Sequence, residues 1–126
     1  MKEVEFRAWD LKDKRMYHNV GIVGTLIILE HEQSGYEFCE LELKSYDHID
    51  NNYVLMQYTG IRDTEGTKIF DGDIVKNAFG EKYRIVWDEK RCQFIAATTI
   101  EDGSEWYQNV SRSLEVIGNI YENSTK

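Results

Sequence analysis

Four carboxylates fall within eleven positions: Asp63, Glu65, Asp71 and Asp73. Oxygen ligands at such density are the raw material of a hard-cation site. Their spacing is not that of an EF-hand loop, however, and each acid stands beside a turn residue, where aspartate has a backbone role instead. Three histidines, His18, His31 and His48, offer imidazole for metal binding or proton transfer. None has another His or a Cys at ligand spacing. His48, between Asp47 and Asp50, has carboxylate neighbours that would orient its ring; the reading without chemistry is a solvated loop histidine. Cys92 becomes a nucleophile only beside a base or at a helix N-terminus. Its place in an alternating run, with Phe94 and Ala96, predicts a small inward core residue. Ser104, Ser111 and Ser113 lack the glycines of a nucleophile elbow, and no phosphate loop or dinucleotide fingerprint is present. No catalytic residue, metal ligand or cofactor is therefore assigned, and the chain is read as a non-enzyme.

The turns themselves organise the chain. Leu55 to Lys76 packs three of them into one segment: Gly60, Asp63 to Gly66, and Asp71-Gly72. Leu55 and Met56, Ile69 and Phe70, and Ile74 and Val75 separate them. The order is strand, hairpin, strand, tight corner, strand. Asp63 should supply the side-chain acceptor of a type I turn, with Gly66 in the left-handed position that closes the hairpin.

On either side the pattern is also β. Val4, Phe6 and Ala8 alternate with Glu5 and Arg7, which predicts a half-buried strand over Glu3 to Trp9. Arg15 to His18 returns as its hairpin partner. Val20 to Leu29 reads as one strand bent at a glycine. Tyr36 to Lys44 alternates again, with a short helix as the competing assignment. Ser45 to Asn52 is a polar linker, so a β-rich N-terminal lobe is expected over residues 1–52 and a second lobe over 53–126. In Tyr53 to Tyr58, Val54, Met56 and Tyr58 should point inward. Strands follow at Asp73 to Lys76, Lys82 to Asp88 and Arg91 to Thr98. Trp106 to Ser113 leaves room for a helical turn that Ser111 would cap. The last strand is Leu114 to Tyr121, with Leu114, Val116 and Ile120 facing the interior, Glu115 and Asn119 facing out, and Gly118 allowing a bend. Five short strands with brief turns fit a partly closed barrel.

Composition bounds the rest. The 126 residues carry 15 Lys and Arg against 23 Asp and Glu, a net charge of −8, which disfavours a phosphate-binding surface and hence nucleic acid. No secretory leader is seen after Met1, and the longest apolar run, Leu26 to Leu29, is far too short to span a membrane. Cys39 and Cys92 are expected as reduced thiols of a cytoplasmic protein. Proline is absent, so nothing of that kind blunts sheet edges, and self-association is expected. With 13% aromatic residues, one or two rings should remain exposed. Trp106 and Tyr107, beside Gly103, are the pair chosen as a protein-contact site.

Three blocks resemble the YopX family of bacteriophage and prophage proteins. They are Phe6-Arg7-Ala8-Trp9-Asp10; Met56-Gln57-Tyr58-Thr59-Gly60 with Asp63, Gly66, Ile69 and Asp71-Gly72-Asp73-Ile74-Val75; and Val116-Ile117-Gly118-Asn119-Ile120-Tyr121-Glu122-Asn123. Aspartate at 71 stands where the family pattern has glutamate, and Ser124 replaces its proline. The resemblance implies a phage origin, an unidentified host or phage protein as partner, and a C-terminal part like an SH3-type barrel. It brings no established activity and no catalytic residue. Beside this reading stand two others: an SH3-like nucleic-acid-binding module, and a metal-dependent enzyme using the turn carboxylates. The fold class expected is mainly β, an N-terminal β-rich lobe followed by an SH3-like barrel.

Overall fold

The computed structural model describes residues 3–24, 26–32, 39–45, 53–99 and 103–122, with side-chain detail outside 30–52. His48, most of the polar linker, Asn123, and the side chains of His31 and Cys39 thus lie outside the described residues. Every regular element described is a strand. Two compact units are formed, one from Val4–Gln57 and one from Tyr58–Lys126 with Met1–Glu3.

In the first unit, β1 (Phe6–Asp10) pairs antiparallel with β2 (Arg15–Tyr17). Asp10 makes the turn between them: its carboxylate accepts from the Lys12 and Asp13 amides at 2.9 and 3.0 Å. This is the local side-chain bonding that favours aspartate in turns. β1 lies between β2 and the first half of β6 (Tyr53–Arg62). It is also buried on both faces over Arg7 to Asp10, and Arg7, expected outside, is only 7% exposed. Val20 to Leu29 is two strands rather than one: β3 (Gly21–Val23) and β4 (Leu26–Glu32) form a hairpin. The chain reverses at Gly24, whose φ of +59° is readily adopted only without a Cβ. The alternating segment after it is the strand β5 (Cys39–Ser45), not a helix. Ala8, Tyr17, Val20, Ile27 and Leu29 make the core, with Phe6, Tyr53 and Leu55 packed against it.

In the second unit, the far half of β6 pairs with β7 (Lys68–Phe70). The register slips between Tyr58 and Arg62. Gly60 sits inside this slip, and the Thr59 hydroxyl bridges it by donating to the Ile69 carbonyl at 2.8 Å. Then comes a five-stranded antiparallel sheet in the order β11-β10-β9-β8-β12. Its strands are β8 (Asp73–Lys76), β9 (Lys82–Asp88), β10 (Gln93–Thr99), β11 (Glu105–Asn109) and β12 (Glu115–Asn119). Val75, Ile85, Ala96, Val110 and Leu114 bury one face around Ile69, which is fully buried.

Three expectations fail here. Trp106 to Asn109 is strand, not helical turn, because it pairs in register with β10. Cys92 is not on a strand face: it ends the β9–β10 turn with φ +53° and is exposed. Asp88 sets that turn by accepting from the Lys90 and Arg91 amides, so the strand begins at Gln93, two residues later than the expected Arg91. The third failure is in the closing strand. Val116 opposes Val75, but Gly118 opposes Ile74, so Ile117 is an extra residue, a β-bulge. Beyond it the alternation inverts. Asn119 is buried at 6% exposure opposite Asp73, and Ile120 turns out to 37%. Leu114 and Val116, before the bulge, face the core as expected.

Candidate protein-contact site at the β11 sheet edge

The two edges of the five-stranded sheet differ. At one edge, β12 is closed by the 63–66 turn. Asp63 Oδ1 accepts from the Glu65 and Thr67 amides, both at 2.8 Å, which shapes the turn. The Asp63 amide donates to the Thr67 carbonyl at 2.7 Å, and Gly66 takes φ +84° where the chain reverses. The other carboxylate oxygen, Oδ2, accepts from the Val116 amide at 2.9 Å, 53 residues away. Beside it the Thr64 amide donates to the Leu114 carbonyl at 3.0 Å. The outward amide of Val116 in β12 and the carbonyl of Leu114 just before it are thereby paired. Asp63 is 6% exposed. Burial pushes its carboxyl upward, but the amides of Val116, Thr67, Glu65 and Gly66 outweigh this and hold it below the ordinary aspartate range.

The second turn aspartate is occupied in the same way. Asp73 Oδ2, with the residue 1% exposed, accepts from the Phe70 amide at 2.7 Å. Gly72 in the same corner donates to the Ile85 carbonyl and accepts from the Ile120 amide. Asn119 closes the chain after β12 by accepting from the Tyr121 and Glu122 amides. The Tyr121 hydroxyl is pushed upward by burial and by the nearby Asp71 carboxylate. Both carboxylates accept backbone amides, and among the described residues no three His, Cys, Asp or Glu side chains converge. Glu65 and His18 stand exposed. Ser111 and Ser113 bond each other at 2.7 Å, with no imidazole in that bond.

At the opposite edge lies β11. Among the described residues no strand stands beyond it. Its sequence is Glu105-Trp106-Tyr107-Gln108-Asn109, with Trp106 61% and Tyr107 47% exposed. The two rings point to opposite faces, as strand neighbours must. Trp106 shares the face of Ala96 and Gln108, and Tyr107 that of Ala97. The Arg91 guanidinium sits over the Tyr107 ring, 4.0 Å from its centre. Asp88 pairs with Arg91 and is held low mainly by that hydrogen bond. The sequence thus located the exposed aromatic pair but not the strand that presents it. Gln108 Nε2 is buried without a hydrogen-bond partner. Asn109 Oδ1 accepts from Gln93 Nε2 at 3.1 Å.

Behind this edge, on the Tyr107 face, a groove of about 280 Å³ runs across the sheet. Ile74, Arg84, Ala97, Thr99, Glu105 and Ile120 line it. The bulge in β12 delivers Ile120 to this groove instead of the core. Trp87, 49% exposed, stands edge-on to Phe94 at 5.0 Å on the other face. Among the described residues, no helix is long and apolar enough to cross a membrane.

No curated protein matches the sequence significantly. The fold resembles the crystal structure of protein EF1440 from Enterococcus faecalis, with a TM-score of 0.57 at 23% identity, covering 99% of this chain and 98% of that one. At that identity the likeness speaks for the fold. The family model described as YopX protein matches residues 5–126, nearly the whole length, and the chain belongs to the YopX family.

Proposed function

We propose that this YopX-family chain is a non-enzymatic protein-interaction module that self-associates, with β11 as its contact edge. The observation that carries the reading is the difference between the two edges of one sheet. Asp63 and Thr64 cover the start of the β12 edge by bonding the Val116 amide and the Leu114 carbonyl. The β11 edge has no described neighbour and two exposed aromatic rings. Sheet edges left to solvent are ordinarily guarded by lysine, proline or a bulge. β11 has none of these, and its single charge, Glu105, is at its end. Other edges are less suited to pairing. β2, β3 and β7 are three residues long, and β5 carries Glu40, Glu42 and Lys44.

A net charge of −8 supports a protein partner over nucleic acid, because non-specific nucleic-acid affinity comes from cations that neutralise phosphates. The occupied carboxylates of Asp63 and Asp73 support a structural use of the turns over metal chemistry. Phage or prophage origin, action in the bacterial host cytoplasm and engagement of a further host or phage protein are part of the proposal. The sequence blocks shared with the family motivate them. Light scattering on a dilution series tests the central claim. A mass of twice the 14.8 kDa chain is expected at high concentration, falling on dilution. A constant monomer mass would end the self-association reading.

A further inference from the structure

The sequence of β11 is self-complementary in one antiparallel register, and we infer that two copies pair there about a two-fold axis through Tyr107. This inference rests on the self-association proposed above and adds the register to it. In an antiparallel pair related by a two-fold axis, residue positions on the two copies sum to a constant. Centring on Tyr107 is the choice that overlaps all five residues of β11. It places Tyr107 opposite Tyr107 of the second copy, Trp106 opposite Gln108, and Glu105 opposite Asn109.

The end pairings match an unused donor with an unused acceptor. Asn109 Oδ1 is taken by Gln93, which leaves its NH2 to donate. Glu105, opposite, supplies a carboxylate that holds no ion pair among the described residues and can accept. A hydrogen bond to an ionised acceptor is the stronger kind. On the opposite face, the exposed indole of Trp106 is laid over the Gln108 side chain of the other copy, an apolar cover rather than a hydrogen bond. The two Tyr107 rings meet at the axis with Arg91 stacked on the outer side of each. Asp88 balances each arginine, so the meeting of the two Arg91–Tyr107 pairs brings no net charge to the axis. Like charges are also kept apart, because the two Glu105 side chains lie at opposite ends of the paired segment.

Short bifunctional thiol cross-linking of the full chain, in a Cys39→Ser, Cys92→Ser background, reads the register directly. Directly opposed Cβ atoms are ~4.5–5.5 Å apart, whereas a four-residue offset separates them by roughly 13 Å. Tyr107→Cys should therefore cross-link to itself at least about tenfold faster than Glu105→Cys or Asn109→Cys alone. An equimolar mixture of Glu105→Cys and Asn109→Cys should cross-link as readily as Tyr107→Cys. Dimers by light scattering that cross-link best at another position, or nowhere along β11, would overturn the register and leave self-association standing. A monomer at every concentration would overturn both. Trp106→Lys, with its fold checked by circular dichroism, should abolish cross-linking at Tyr107→Cys; unchanged yield would also refute the paired-edge geometry.

Discussion

Replacing Asp63 tests the connection on which the closed edge of the sheet depends. One carboxylate accepts three backbone amides: Glu65 and Thr67 on Oδ1, and Val116 on Oδ2. Asp63→Asn keeps one carbonyl oxygen. Aimed at the turn, it turns its NH2 toward the Val116 amide, donor against donor. Loss of a hydrogen bond to a charged group, ~1.5–3 kcal/mol, combines with the cost of an unpaired Val116 N–H, ~1–3 kcal/mol. Because the strand end can relax toward water, about 2–4 kcal/mol is the expected cost. Asp63→Ala removes all three acceptors and should cost about 3–5 kcal/mol, a large part of a small protein's total stability. With a urea slope of ~1.5 kcal/mol/M, the Asn variant's midpoint should fall by ~1.5–2.5 M. The pH dependence separates charge from shape. The folded carboxyl titrates below its unfolded value. Its stabilisation is therefore complete above the unfolded pKa, near ~3.9, and is lost as pH falls through the still lower folded value. The gap between wild type and Asp63→Asn should be full at pH 7 and shrink below about pH 4. Equal urea midpoints at pH 7 would refute the argument that this carboxylate joins turn and strand. A gap unchanged at low pH would refute the role of its charge.

Other substitutions discriminate the remaining claims. Leu114→Ala, at a fully buried position, should cost ~2–5 kcal/mol, whereas Ile120→Ala, turned outward by the bulge, should cost under ~1 kcal/mol; urea melts of the pair should differ accordingly. Asn119→Ala strands the Tyr121 and Glu122 amides and should cost ~1–3 kcal/mol in the same assay. Cys92→Gly relieves a left-handed φ of +53° at some entropic cost and should stabilise by up to ~1 kcal/mol in thermal melts. Trp106→Lys should leave the stability read from urea melts within about 0.5 kcal/mol of wild type while weakening self-association in a dilution series.

Much of this protein was determined by its sequence locally. An aspartate that bonds amides two and four residues on, followed by a glycine, makes the 63–66 turn whatever lies elsewhere. Asp71-Gly72 makes the next corner. Alternating Tyr83, Ile85 and Trp87 specify a strand because strand side chains repeat every two residues. The three family blocks are likewise legible without coordinates. Other features depend on partners distant in sequence. The second oxygen of Asp63 finds Val116 only once β12 is laid beside the hairpin. The extra residue at Ile117 exists only relative to β8, since a bulge is a mismatch between two strands, and it alone decides that Asn119 is buried and Ile120 exposed. Cys92 continues the alternation of its neighbours in sequence, yet the turn built by Asp88 claims it. Whether Trp106 and Tyr107 belong to a helix or a strand was settled by pairing with β10, because strand stability lies in cross-strand contacts rather than in the segment itself. The edge position of β11 among the described strands arises in the same way: a sheet edge is defined by strand order, and strand order is a property of the tertiary fold alone.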